Sequence, residues 1–107
     1  MPITQPFETF PTSPFVMRTP DYVDVRVLTA GVAVQHTVPA DARVVVFSSD
    51  ADFFAAYGAN PTATVPTIDV TDGTASEMNP TARFLKGQAK ISLISGDATI
   101  ITMSFFR

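Results

Sequence analysis

The chain of 107 residues carries a net charge of −3, with 46% apolar and only 16% charged residues, where globular proteins usually run near ~25% charged. That balance excludes a disordered polyelectrolyte. The lack of cysteine excludes disulfide scaffolds, thiolate zinc sites, iron–sulfur clusters and cysteine catalysis, and no apolar run approaches the ~18 residues of a membrane span.

Little charge is left to hydrate the surface, so part of it is expected to meet another chain. The length suits one domain. Val, Ile and Thr number 12, 6 and 14. These β-branched side chains lose rotamers in a helix and pack well on a pleated surface. No stretch shows a capped helical stripe, so the expected class is all-β: a single β-sandwich or jelly roll of six to eight short strands.

Residues 1–20 are set apart as an extended N-terminal arm, with residues 21–107 forming the sandwich. The arm holds Pro2, Pro6, Pro11, Pro14 and Pro20, which interrupt any donor ladder. It also holds Phe7, Phe10 and Phe15, too aromatic for a solvated tail. Two readings stand: an arm that docks its aromatics on a neighbouring subunit, or one that folds back over its own sandwich.

From Tyr22 the period changes. Val23, Val25 and Val27 alternate with Asp24 and Arg26, a half-buried strand, and Ala30-Gly31 marks a turn. Val32, Val34, His36 and Val38 share one face of the next strand. Arg43 to Phe47 reads as a central strand covered on both faces. Phe53 to Tyr57 is a short strand or one helical turn. Residues 58–82 are rich in turn signals, with Ile68-Asp69-Val70 a possible short edge strand. Arg83 to Leu85 and Lys90 to Ser95 follow, Gly96-Asp97 reads as a hairpin turn, and Thr99 to Phe106 closes the fold. Apolar residues on both faces of Val44 to Phe47, Ile100-Ile101 and Phe105-Phe106 leave surplus surface to bury. Side chains alternate across a strand, so one of Phe105 and Phe106 enters the core. Phe106 is expected under the arm or at a subunit contact.

The sequence offers little chemistry. His36 is the only histidine and sits among valines, a packed or interface residue before it is a base or ligand. Asp50-Ala51-Asp52 and Asp69-Val70-Thr71-Asp72-Gly73 suit turns better than calcium loops or a glycosidase pair. The glycines form no phosphate-cradling fingerprint, and the basic residues Arg83, Lys86 and Lys90 are a sparse rim. No catalytic, cofactor or metal residue is assigned, and neither nucleic acid nor membrane is an expected partner.

Four phrases carry a resemblance: Val38 to Ser49 (VPADARVVVFSS), Asp50 to Gly58 (DADFFAAYG), Asp69 to Pro80 (DVTDGTASEMNP) and Ile91 to Phe106 (ISLISGDATIITMSFF). Together they resemble small virion structural proteins of tailed bacteriophages. The resemblance implies a non-enzymatic capsid cement or decoration protein, made in the host cytoplasm and carried in the virion. Its implied partners are further copies of itself, a trimer before a dimer, and the major capsid protein or another virion protein. Phe7, Phe10, Phe15 and Phe106 are the expected contacts. A head-fibre base, tail or adaptor component is the alternative within the particle. A ligand- or carbohydrate-binding sandwich module is the alternative outside it, with a cupin-type enzyme third.

Overall fold

Eight strands make up the regular structure of residues 18–107, the part of the chain that the computed structural model describes. They are β1 (Tyr22–Leu28), β2 (Val34–Thr37), β3 (Val44–Ser49), β4 (Phe54–Gly58), β5 (Glu77–Met78), β6 (Ala82–Phe84), β7 (Lys90–Ile94) and β8 (Thr99–Phe106). Two antiparallel four-stranded sheets result, in the orders β1-β8-β3-β6 and β2-β7-β4-β5. The all-β sandwich expected from the β-branched composition is the fold. Phe7, Phe10 and Phe15 lie outside the described residues.

The chain changes sheet at nearly every connection; only β4 and β5 are successive strands of one sheet. The hairpin expected at Gly96-Asp97 is therefore an arch. β7 and β8 leave that turn into different sheets. A buried polar knot holds the corner: Ser95 Oγ donates to the Asp52 carbonyl at 2.6 Å and accepts from Asp97 N at 3.1 Å, with Thr99 Oγ1 at 2.9 Å. Turn residues specify that a chain reverses, not which sheet it joins, so the sequence signal for a hairpin and an arch is the same. Of residues 53–57, open between strand and helix in the sequence, all but Phe53 lie in strand β4.

The core lies between the sheets. Val45 and Phe47 of β3, Ala55 of β4, Ile91 and Leu93 of β7, and Ile101, Met103 and Phe105 of β8 fill it, with Leu28, Phe53 and Leu85 at its ends. β3, β7 and β8 contribute alternate residues, as a pleated sheet requires.

Residues 59–76 hold no strand. The Ile68-Asp69-Val70 edge strand does not form, and Ile68 is 79% exposed. This stretch instead packs on the outside of the second sheet. Ala63 N donates to Ser92 Oγ of β7 at 2.8 Å, and Gln35 Nε2 of β2 donates to Asn60 Oδ1 and the Pro61 carbonyl, each at 2.8 Å. Ala63 and Ser92 are buried by that packing. Asn79 pins the far end: it takes a left-handed φ of 47°, which asparagine tolerates. Its side chain accepts from Phe53 N and donates to Asp52 Oδ1.

Candidate assembly face

The two sheets are treated differently on their outer sides. Asn60 to Ala63 cover the second sheet around Gln35 and Ser92. Over the first sheet, the cross-strand register brings together Val23, Val25 and Val27 of β1, Ile100, Thr102, Ser104 and Phe106 of β8, Val44, Val46 and Ser48 of β3, and Ala82 and Phe84 of β6. None of these residues is charged. Val27 is 73% and Phe84 62% exposed, with Val23, Val25 and Ile100 near one half. The 24 residues of its four strands, at ~4.8 Å spacing and ~3.3 Å rise, make a face on the order of 380 Å². Exposed valines, Ile100 and Phe84 ring the uncharged Thr102, Ser104 and Ser48 on it, and an exposed face of this kind is a candidate contact surface.

The charges that would ordinarily hydrate such a face point inward. The alternation of β1 fits a half-buried strand with either set inward; the structure turns Asp24 and Arg26 to the core side. The reason is across the gap. His36 of β2 presents Nε2 at 2.7 Å from Asp24 Oδ2 and Nδ1 at 3.2 Å from Arg26 Nη1, and Arg26 Nη1 also donates to the Gln35 carbonyl at 3.0 Å. Arginine can only donate, so Nδ1 accepts and the ring proton sits on Nε2, given to Asp24. The ring lies stacked on Phe105, centroids 6.0 Å apart and planes 12° apart. Both nitrogens are engaged, which makes His36 a clasp between edge strands β1 and β2.

The opposite edge repeats the device. Arg83 of β6 grips Glu77 of β5 with Nε at 2.9 Å from both carboxylate oxygens and Nη2 at 2.7 Å from Oε2. Tyr57 OH of β4 donates to Glu77 Oε1 at 2.9 Å. Arg83 holds the Glu77 carboxyl below its usual value of 4.5, with Tyr57 adding to the effect against a desolvation penalty. Burial, then the bond to Glu77, pushes the Tyr57 hydroxyl up. Inward charges on edge strands also discourage unwanted sheet pairing.

A carboxyl held low in the folded state stabilises above its unfolded value, and that contribution is lost as pH falls through the folded one. The half-exposed Arg83–Glu77 pair is worth about 1 kcal/mol or less. Melting temperatures recorded from pH 6 to pH 3 should therefore show wild type a few degrees above Glu77→Gln at the high end. The gap should close once the pH drops well below 4.5. A gap that stays constant across the range would remove the ion pair from the account.

This second clasp floors a cleft of about 490 Å³, walled by Tyr57, Thr74, Glu77, Arg83, Phe84 and Lys86. The principal polar groups there, Tyr57, Glu77 and Arg83, are bonded to one another.

Of the residues singled out from the sequence, Phe106 lies on the outer face of the first sheet, 8% exposed, with the Arg18 guanidinium 5.5 Å above its ring. Arg18 also donates to the Arg107 carbonyl at 2.7 Å and to Asp21 Oδ2 at 2.9 Å. Phe105, its neighbour, enters the core. Val23, Val25, Val27 and Phe84 were not singled out as contacts. Their signal was the lack of charge on both phases of β3 and β8: a sheet with such central strands has no polar face for β1 to match.

Comparison with known proteins finds no matching family model, curated protein or solved structure.

Proposed function

We propose that this chain is a non-enzymatic structural protein of a phage particle, a capsid cement or decoration protein. The outer face of its first sheet is the surface that seats on the particle. The observation that carries the reading is that face: its four strands contribute no charged side chain to it, and among the described residues Val23, Val25, Val27, Phe84 and Ile100 stand exposed on it. A monomer gains nothing from such a face, because each exposed valine or phenylalanine forgoes roughly 1.5–3 kcal/mol of burial. A shell subunit gains that energy on every copy. The arm of residues 1–20 adds Phe7, Phe10 and Phe15 as further anchors, and Phe106 sits where the arm leaves the sandwich.

A head-fibre base, tail or adaptor component would use the same face. A small-ligand or carbohydrate module is favoured by one observation, the cleft at Tyr57, Glu77 and Arg83, whose volume falls in the usual range of ligand pockets.

The test is composition. Particles purified from a lysed culture that carries the gene should contain the protein in many copies per particle, in the head fraction if it is a cement protein. Its absence from such particles would reject the particle reading.

A further inference from the structure

The edges of the two sheets are unequal. Three of the four are short: β2 has four residues, β6 three and β5 two. Short edge strands are one of the ways a sheet avoids pairing with another chain. β1 is the exception. It runs seven residues, Tyr22–Leu28, contains neither proline nor lysine, and among the described residues pairs on one side only, with β8; its inward charges, Asp24 and Arg26, disfavour only a strand that does not complement them.

Its sequence is self-complementary. Val23-Asp24-Val25-Arg26-Val27 laid antiparallel against itself and centred on Val25 sets Val23 opposite Val27, Val25 opposite Val25, and Asp24 opposite Arg26. Cross-strand pairs of this kind, apolar with apolar and acid with base, are the favoured ones. The side-chain hydrogen bonds that Asp24 and Arg26 make to His36 and Gln35 run through Oδ2 and Nη1, so Oδ1, Nε and Nη2 remain to meet a second strand.

We infer that β1 pairs with β1 of a second copy about a two-fold axis through Val25, joining the two first sheets into one eight-stranded sheet. The symmetry follows from the sequence, since an isologous contact needs the same patch on both sides. The area supports it as well. One outer face of about 380 Å² is half of the ~800 Å² per partner that a stable interface buries, whereas two faces joined edge to edge come close to it. The arm of the same chain is a poor rival for the edge. Prolines at positions 2, 6, 11, 14 and 20 leave no uninterrupted run as long as β1. Pairing of this kind closes at two copies and replaces the trimer that the phage resemblance implies.

The pairing deepens the assembly reading and rests on it for its purpose, yet it fails separately, because its test uses the purified protein alone. The chain has no cysteine, so single cysteines report on the contact without background. At the two-fold position, facing α-carbons lie about 4.5–5.5 Å apart, within the span a disulfide bridges. Val25→Cys is therefore expected to convert almost completely to a covalent dimer under mild oxidation. Val23→Cys alone should form no covalent dimer, since its own copies sit four residues out of register, about 13 Å apart. A mixture of Val23→Cys and Val27→Cys should cross-link. All three side chains are exposed, so the variants keep the fold. A Val25→Cys chain that stays monomeric would overturn the inference. So would Val23→Cys alone cross-linking as readily as Val25→Cys. Loss of the protein from particles would leave the cross-linking result untouched.

Discussion

Replacing Phe105 by alanine is expected to cost about 3–5 kcal/mol of folding stability, with a fall in Tm of at least about 12 °C. Phe105 is fully buried, it lies opposite Tyr22 of β1 and Val45 of β3, and its ring is the floor on which His36 stacks. Truncation leaves a closed cavity between the sheets and removes the support of the Asp24–His36–Arg26 clasp in the same step. Phe106, one residue on, faces the other way. A cavity there opens to the outer face and can be hydrated, so Phe106→Ala should cost no more than the transfer term, about 1.5–3 kcal/mol. Urea unfolding of the two variants reads the difference, and a Phe106→Ala chain no more stable than Phe105→Ala would contradict this division of core from surface.

The second large effect is on attachment and leaves stability alone. Ile100 and Phe84 stand on different strands of the outer face, opposite Val27 and Val44 respectively, and both are exposed. Lysine at each position can extend into water, so Ile100→Lys with Phe84→Lys should change folding by within about 0.5 kcal/mol per site. Seating on a particle is another matter. Two apolar anchors are lost, at roughly 1.5–3 kcal/mol each, and two ammonium groups must be desolvated. Attachment should weaken by at least about 100-fold. The β1 edge is untouched by both substitutions, so cross-linking through Val25→Cys should proceed in this background as before.

The strand positions and the class of the fold were open to sequence reading because period-two patterning and β-branched residues are local properties. β8 illustrates it: Ile101, Met103 and Phe105 alternate with Thr102 and Ser104 in the sequence, and the first three are buried. The phase of β1 was not open in the same way. Valines alternating with Asp24 and Arg26 fit a pleat with either set inward, and what decides is a partner in another strand, His36, which offers both charges a bond. The sheet to which each strand belongs was also hidden, as the arch at Gly96-Asp97 shows, since it depends on long-range pairing that no turn residue encodes. Residues 58–82 read as an irregular stretch, and 59–76 of them are one, with β5 at Glu77–Met78 beyond it; that its start covers part of a sheet rests on Ala63, Asn60 and Pro61 finding Ser92 and Gln35. Of the candidate face, Phe106 and the doubled apolar phases of β3 and β8 were legible, and the β1 valines became part of it only once the clasp had fixed their direction.

The most direct measurement is a binding titration on particles stripped of the protein, comparing the wild-type chain with the Ile100→Lys, Phe84→Lys variant at matched urea-unfolding midpoints. Saturable rebinding of wild type to a fixed number of sites, with the variant at least about 100-fold weaker, is the result expected if the uncharged outer face of the first sheet is the assembly surface. Equal binding of the two chains, with folding unchanged, would contradict it.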